Sequence, residues 1–235
     1  PLMKWLRRAA KAKEFVIRLE VDDLTEGSTT PSASTDEAPR SPGWQLYDNP
    51  TPADEETVRY LEREAGAKGP FELVRPDQDA TYESTVEIDV SSLEPQIACP
   101  HTVDNVKPVA NVSGTKVNQI VIGSCTNGRL DDIAAAAQTL RGKKVARGTR
   151  MLVFPASGRI FQEALDKGYV SDLMRAGAVV MNSGCGPCLG VHEGALGDGE
   201  VALSTTNRNF KGRMGNPKGE VYLCSPEVAA ASALT

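Results

Sequence analysis

The sequence predicts an α/β fold, a three-layer α/β/α arrangement around a mostly parallel sheet, on three observations. From residue 117 onward, short apolar runs alternate with amphipathic helical stretches, the rhythm of βαβ crossovers. The 235 residues include only 5 Phe, 5 Tyr and 2 Trp, so the core is built mainly from Val, Ile, Leu and Ala, the mix that fills parallel α/β layers. Each apolar run ends in a Gly-bearing or Pro-bearing loop, and in a parallel sheet such loops line one crevice at the carboxyl ends of the strands.

The elements follow in order. Residues 1–13, PLMKWLRRAAKAK, carry five basic and no acidic side chains, the pattern of an amphipathic surface helix or an organelle-targeting helix. Residues 14–21 read as a strand. Residues 27–43 are dominated by Ser, Thr, Pro, Gly and Ala and read as a linker or disordered insertion. A helix is expected from Pro52 to about Ala65, with Thr51 as N-cap, Pro52 in the first position, acids in the first turn and Gly66 beyond its end. Residues 82–90 alternate as a half-buried strand.

Residues 117–123, VNQIVIG, read as a buried strand, 129–142 as a helix stopped at Gly142, and 150–155 as a strand broken by Pro155. Residues 158–168 follow as a helix, 176–184 as a strand and 200–205 as another. Helices between the strands imply a sheet covered on both faces. Four loops then share one edge: 123–129, 156–159, 183–190 and 206–215. The organisation expected is an atypical segment over 1–48, its linker at about 24–43, a partial linking domain over 49–109 and an α/β domain over 110–235.

Charge and hydropathy exclude two classes of function. With 26 Lys+Arg against 31 Asp+Glu, the formal charge of −5 argues against a surface that holds nucleic acid. No apolar run approaches the ~20 residues that cross a bilayer, so no membrane partner is expected. Five cysteines, an odd set in a chain this long, speak against a disulfide framework and for a reducing compartment; a cytoplasmic location is expected, with an organelle matrix as second choice.

Two of the four loops hold cysteines, Cys125 in GSCTNG and the Cys185–Cys188 pair in GCGPCLG. Three soft thiolates at one sheet edge suit an iron–sulfur cluster, and a cube held by three protein ligands leaves one iron open as a Lewis acid. A CxxC pair serves equally as a zinc half-site, with His192 four residues past Cys188 as a candidate fourth ligand, or as a redox dithiol, which leaves Cys125 unexplained. His192 otherwise reads as a supporting or helix-surface residue. Cys99 and Cys224 sit beside apolar residues and read as buried structural cysteines. His101 is a tempting acid–base group, but no neighbouring partner is evident and a structural or interdomain role is expected.

The motifs GSCTNGRLDDI, NSGCGPCLG and TNRNFKGRMGNPKGEVYLCSPEVAAASAL resemble the cluster-binding part of the aconitase superfamily, and within it the large-subunit branch of 3-isopropylmalate dehydratases and homoaconitases. The resemblance is dense from about Pro95 to Thr235 and extends back to about Asn49. It implies that Cys125, Cys185 and Cys188 ligate a [4Fe-4S] cluster, that Asn127 and Asn207 support it, and that Arg208 and Arg213 bind substrate carboxylates. Chemistry favours the last point independently, because a planar guanidinium pairs bidentately with a carboxylate. The resemblance further implies a hydro-lyase acting on a hydroxy di- or tricarboxylic acid, with a small swivelling subunit or domain completing the site. The histidine–carboxylate pairs and base-supplying serine of that family have no counterpart in this sequence. No catalytic residue is assigned, and a catalytically incomplete, cluster- or zinc-binding scaffold is the alternative reading.

Overall fold

The computed structural model describes residues 16–21, 55–71, 84–89 and 93–235. The expectations for the basic amino-terminal helix, the linker over 27–43 and the Thr51 cap lie outside the described residues. By compactness the chain divides into two units, Phe15–Val90 and Ser91–Thr235.

In the smaller unit, strands β1 (Val16–Val21) and β2 (Ser84–Asp89) pair antiparallel, from Val16 opposite Asp89 to Val21 opposite Ser84. Helix α1 (Glu55–Ala65) ends where the sequence predicts, at Gly66, which takes a left-handed φ of 61°.

The larger unit begins with β3 (Gln96–Ala98) and β4 (Val106–Pro108) and continues with β5 (Gln119–Gly123), the four-residue helix α2 (Ser124–Asn127) and α3 (Leu130–Leu140). Next come β6 (Arg150–Phe154), α4 (Gly158–Asp166), α5 (Tyr169–Ala176) and β7 (Val179–Val180). A 3₁₀ turn at Gly186–Leu189, β8 (Val201–Ser204), β9 (Glu220–Leu223) and α6 (Pro226–Ser232) complete it. The seven strands lie in the order β4-β3-β9-β8-β5-β6-β7. From β9 to β7 every pairing is parallel, and only β3 is reversed, pairing antiparallel with both β9 and β4. The α/β class and the mostly parallel sheet are as predicted.

Three differences from the sequence reading have physical causes. The strand expected over 176–184 is reduced to Val179–Val180, because Ala176 closes α5 and Gly177 terminates that helix in the left-handed region at φ 101°. The segment after β9 is helical, capped by the Ser225 hydroxyl, which accepts from Val228 N at 3.1 Å, with Pro226 in the first turn. The described helices α3 to α6 all pack on one face with Ile120, Ile122, Met151 and Val153, whereas Val121, Phe154, Ala202 and Val221 on the opposite face meet Leu196 and Met214 from the connections after β7 and β8. Handedness accounts for this division. Steps from β5 to β6 to β7 run one way across the sheet and put right-handed crossovers on the first face; the return to β8 and the step to β9 run the other way and put theirs on the second.

The direction in which successive strands step across the sheet therefore reverses between the parallel neighbours β5 and β8, with Val121 paired to Ser204. Loops leaving these two strands diverge, and a crevice opens at such a switch point.

Candidate metal centre

Cys125 leaves the carboxyl end of β5. Gly123 there takes φ 134° and its backbone lies so close to Phe154 that a Cβ on it would stand 2.0 Å from the Phe154 carbonyl oxygen; no side chain fits. Ser124 follows at φ 63°, a left-handed conformation uncommon outside glycine, and turns the chain so that the Cys125 side chain is exposed. The turn is fastened to the end of β8: Gly123 N donates to Thr205 Oγ1 at 2.9 Å, and Asn127 Nδ2 donates to the Thr205 carbonyl.

The Cys185–Cys188 turn rests on the same phenylalanine. Gly186 has φ 52°, and a Cβ there would lie 2.4 Å from the Phe154 ring. Its exit, Gly190, approaches Gly215 as closely as backbones allow, with a Cβ falling 2.2 Å from Gly215 N. Phe154 thus buttresses both cysteine loops, one by its backbone and one by its ring. Cys185 is exposed and Cys188 is buried.

The third loop, 206–215, closes on Cys188. Arg213 Nη2 donates to Cys188 Sγ at 3.0 Å and reaches Asn207 Oδ1 at 3.5 Å, with its guanidinium 5.2 Å from the Phe210 ring centroid. Asn207 Oδ1 lies 3.9 Å from the same sulfur, and Arg208 Nη1 donates to the Asn207 carbonyl at 3.0 Å. Of the residues singled out from sequence, Cys188, Asn207, Arg208 and Arg213 form one connected group, while Asn127 bonds the backbone of Thr205, two residues before Asn207 in the chain. Among the described residues no three Cys, His, Asp or Glu side chains stand close enough to hold one metal ion, so the loops meet while the three thiols do not form a closed ligand set.

The donor chemistry fits a thiolate-held anionic cluster. A guanidinium on a cysteine sulfur compensates negative charge on that atom. Arg213 Nε is buried with no partner among the described residues, an orphan donor that a sulfide or a carboxylate satisfies.

His192 lies on an exposed bend rather than a helix, 3.5 Å from Glu193, and is not grouped with the cysteines. Cys99 is buried in the main core, but Cys224 is only half-buried, with its Sγ 3.4 Å from the Ser225 carbonyl oxygen, which corrects the reading of both as buried. His101 is exposed, on a turn whose flanking carbonyls, Cys99 O and Thr102 O, accept from Asn209 Nδ2 at 2.8 and 3.2 Å. Sequence reasoning missed Asn209, Thr205 and Phe154. Asn209 stands two residues from Asn207 in the same motif, but nothing in an Asn within a polar loop marks it as buried.

Residues 50–235 match the model of the aconitase family (aconitate hydratase). The chain is 54% identical over 182 residues to the 3-isopropylmalate dehydratase large subunit 2 of Archaeoglobus fulgidus, covering 77% of this chain and 44% of that protein. Over 181 residues it is 54% identical to the 3-isopropylmalate dehydratase large subunit of Elusimicrobium minutum, covering 77% of this chain and 43% of that one. It is 48% identical over 189 residues to the methanogen homoaconitase large subunit of Methanocaldococcus jannaschii, covering 77% and 45%. The chain thus spans less than half the length of these relatives. Matched over most of its length, with the cysteine and arginine loops inside the match, the chain belongs to the aconitase family.

Proposed function

We propose that this chain is the cluster-binding part of an iron–sulfur hydro-lyase of the 3-isopropylmalate dehydratase type, isomerising a hydroxy acid by dehydration and rehydration in the cytoplasm. Cys125, Cys185 and Cys188 hold a [4Fe-4S] cluster, with Asn127 and Asn207 supporting it. The observation that carries this reading is the meeting of the Cys185–Cys188 turn and the 206–215 loop through the Arg213–Cys188 contact, beside the β5 turn that bears Cys125. When bound, the cluster supplies a Lewis-acidic iron that makes the substrate hydroxyl a better leaving group. Arg208 and Arg213 orient the substrate carboxylates, and their positive charge stabilises the enolate-like charge that develops as a proton leaves the neighbouring carbon. A small subunit or domain, the counterpart implied by relatives named large subunits, supplies the remaining groups.

The test is a hydration assay on anaerobically reconstituted protein mixed with the small subunit of a relative, against a panel of isopropylmalate, homocitrate and citrate. Turnover of isopropylmalate, seen as ultraviolet absorbance of the unsaturated intermediate, is the expected result. The second reading, a cluster- or zinc-binding scaffold, draws on the open spacing of the thiols. It predicts metal uptake with no turnover of any acid in the panel.

A further inference from the structure

The best-buried polar side chain of the arginine loop belongs to none of the residues assigned so far. Asn209 is 1% exposed. Its amide nitrogen bonds the carbonyls of Cys99 and Thr102, which flank Pro100 and His101, and its Oδ1 is buried without a partner among the described residues. The turn it grips is itself held together, Cys99 N donating to Asn105 O at 2.8 Å and Asn105 Nδ2 to Pro100 O at 3.0 Å. Cys99 is in turn fixed in the main core. One end of the 206–215 loop is thus tied to a rigid anchor far away in sequence, while four residues later Arg213 reaches Cys188.

From this we infer that Asn209 is a positioning residue: by pinning the 206–215 loop to the Cys99–Asn105 turn, it sets where Arg213 stands against Cys188 and keeps that cysteine covered. An amide is suited to this task, because one NH₂ supplies two donors and reaches two carbonyls at once, which a hydroxyl or carboxylate does not. The far end of the loop is fastened separately, by Leu196 N donating to the Met214 carbonyl at 3.0 Å and by the Gly190–Gly215 approach, so Asn209 is the fastening on the near side of Arg213. The importance given to the loop rests on the cluster reading above; the geometry of the anchor does not.

Alkylation of the metal-free full chain by iodoacetamide, read cysteine by cysteine by mass spectrometry, tests this. In the unaltered chain Cys125 and Cys185 should react fast and Cys188 and Cys99 slowly. In Asn209→Ala, and in the near-isosteric Asn209→Asp in case the first fails to fold, Cys188 should react about tenfold faster while Cys99 stays protected. Ser225→Ala, which removes a helix cap elsewhere, serves as the control for general loosening and should leave Cys188 slow. Unchanged Cys188 reactivity in both Asn209 variants, or an equal rise in Ser225→Ala at matched loss of stability, overturns the proposal. Iron uptake by the unaltered chain is measured alongside. Its absence sinks the cluster reading and leaves the labelling result standing, whereas normal uptake with unmoved Cys188 labelling sinks only the role of Asn209.

Discussion

At Cys188 three kinds of residue meet: a sulfur, a guanidinium and an amide oxygen, all within 3.9 Å of one another. The arrangement predicts unequal roles for the cysteines. Ser in place of Cys125, Cys185 or Cys188 should abolish the visible absorbance of reconstituted protein, while Cys99→Ser and Cys224→Ser should retain it; the opposite pattern contradicts the ligand assignment. Arg213 is the sharper probe. A lysine ammonium is a point charge that does not reproduce the guanidinium fork, so in the assembled enzyme Arg213→Lys should lower kcat/KM by roughly 10- to 150-fold, the equivalent of losing a charge-assisted contact worth ~1.5–3 kcal/mol. A change within about twofold would mean that Arg213 serves its contact with Cys188 and does not clamp the substrate. The cysteines and arginines were legible in the sequence because their chemistry is specific to their type. Asn209, Thr205 and Phe154 were not, since their importance lies in distant backbone partners that no local pattern encodes.

At the scale of elements, the turns that carry the cysteines depend on glycine where the backbone touches Phe154. Gly186→Ala combines a left-handed φ of 52° with a Cβ 2.4 Å from the ring, and should destabilise the chain by about 1–3 kcal/mol in chemical denaturation. An unchanged midpoint would mean that the turn is free to move away from Phe154. The other end of the sheet is tied by charge. Both Nη atoms of Arg150 at the start of β6 bond the Glu200 carboxylate before β8 at 2.7 Å, and Gly197 N adds a third donor at 2.8 Å. The Arg150 guanidinium, followed by the Gly197 amide, holds the Glu200 carboxyl down from 4.5 to about 2. A lowered carboxylate value adds stability that is complete above 4.5 and is lost as pH falls toward 2. Partial exposure keeps the contribution near 1 kcal/mol, and Glu200→Gln should flatten that part of the pH–stability curve. Strands β5, β6 and β8 were readable because continuous apolar runs between glycines and prolines admit few alternatives. The short β7 and the helix α5 were not, because the left-handed turn at Gly177 decides where one ends and the other begins.

For the whole molecule, the position of the candidate centre follows from topology. Because the chain steps one way from β5 through β7 and the other way from β8 to β9, the loops bearing Cys125 and Arg213 leave neighbouring strands in a diverging pair, and the connection bearing Cys185 and Cys188 crosses the second face to join them. Sequence alternation gives the parallel class but not the strand order, and the strand order is what puts the loops together. We propose that these loops hold a [4Fe-4S] cluster with one iron lacking a protein thiolate, and the decisive experiment is iron and sulfide analysis of the anaerobically reconstituted chain, followed by electron paramagnetic resonance before and after brief exposure to air. About four irons and four sulfides per chain are expected, and on exposure a three-iron signal that ferrous iron and reductant reverse. A colourless protein that binds zinc at one equivalent and takes up no sulfide, or a cluster indifferent to air, would overturn the cluster assignment.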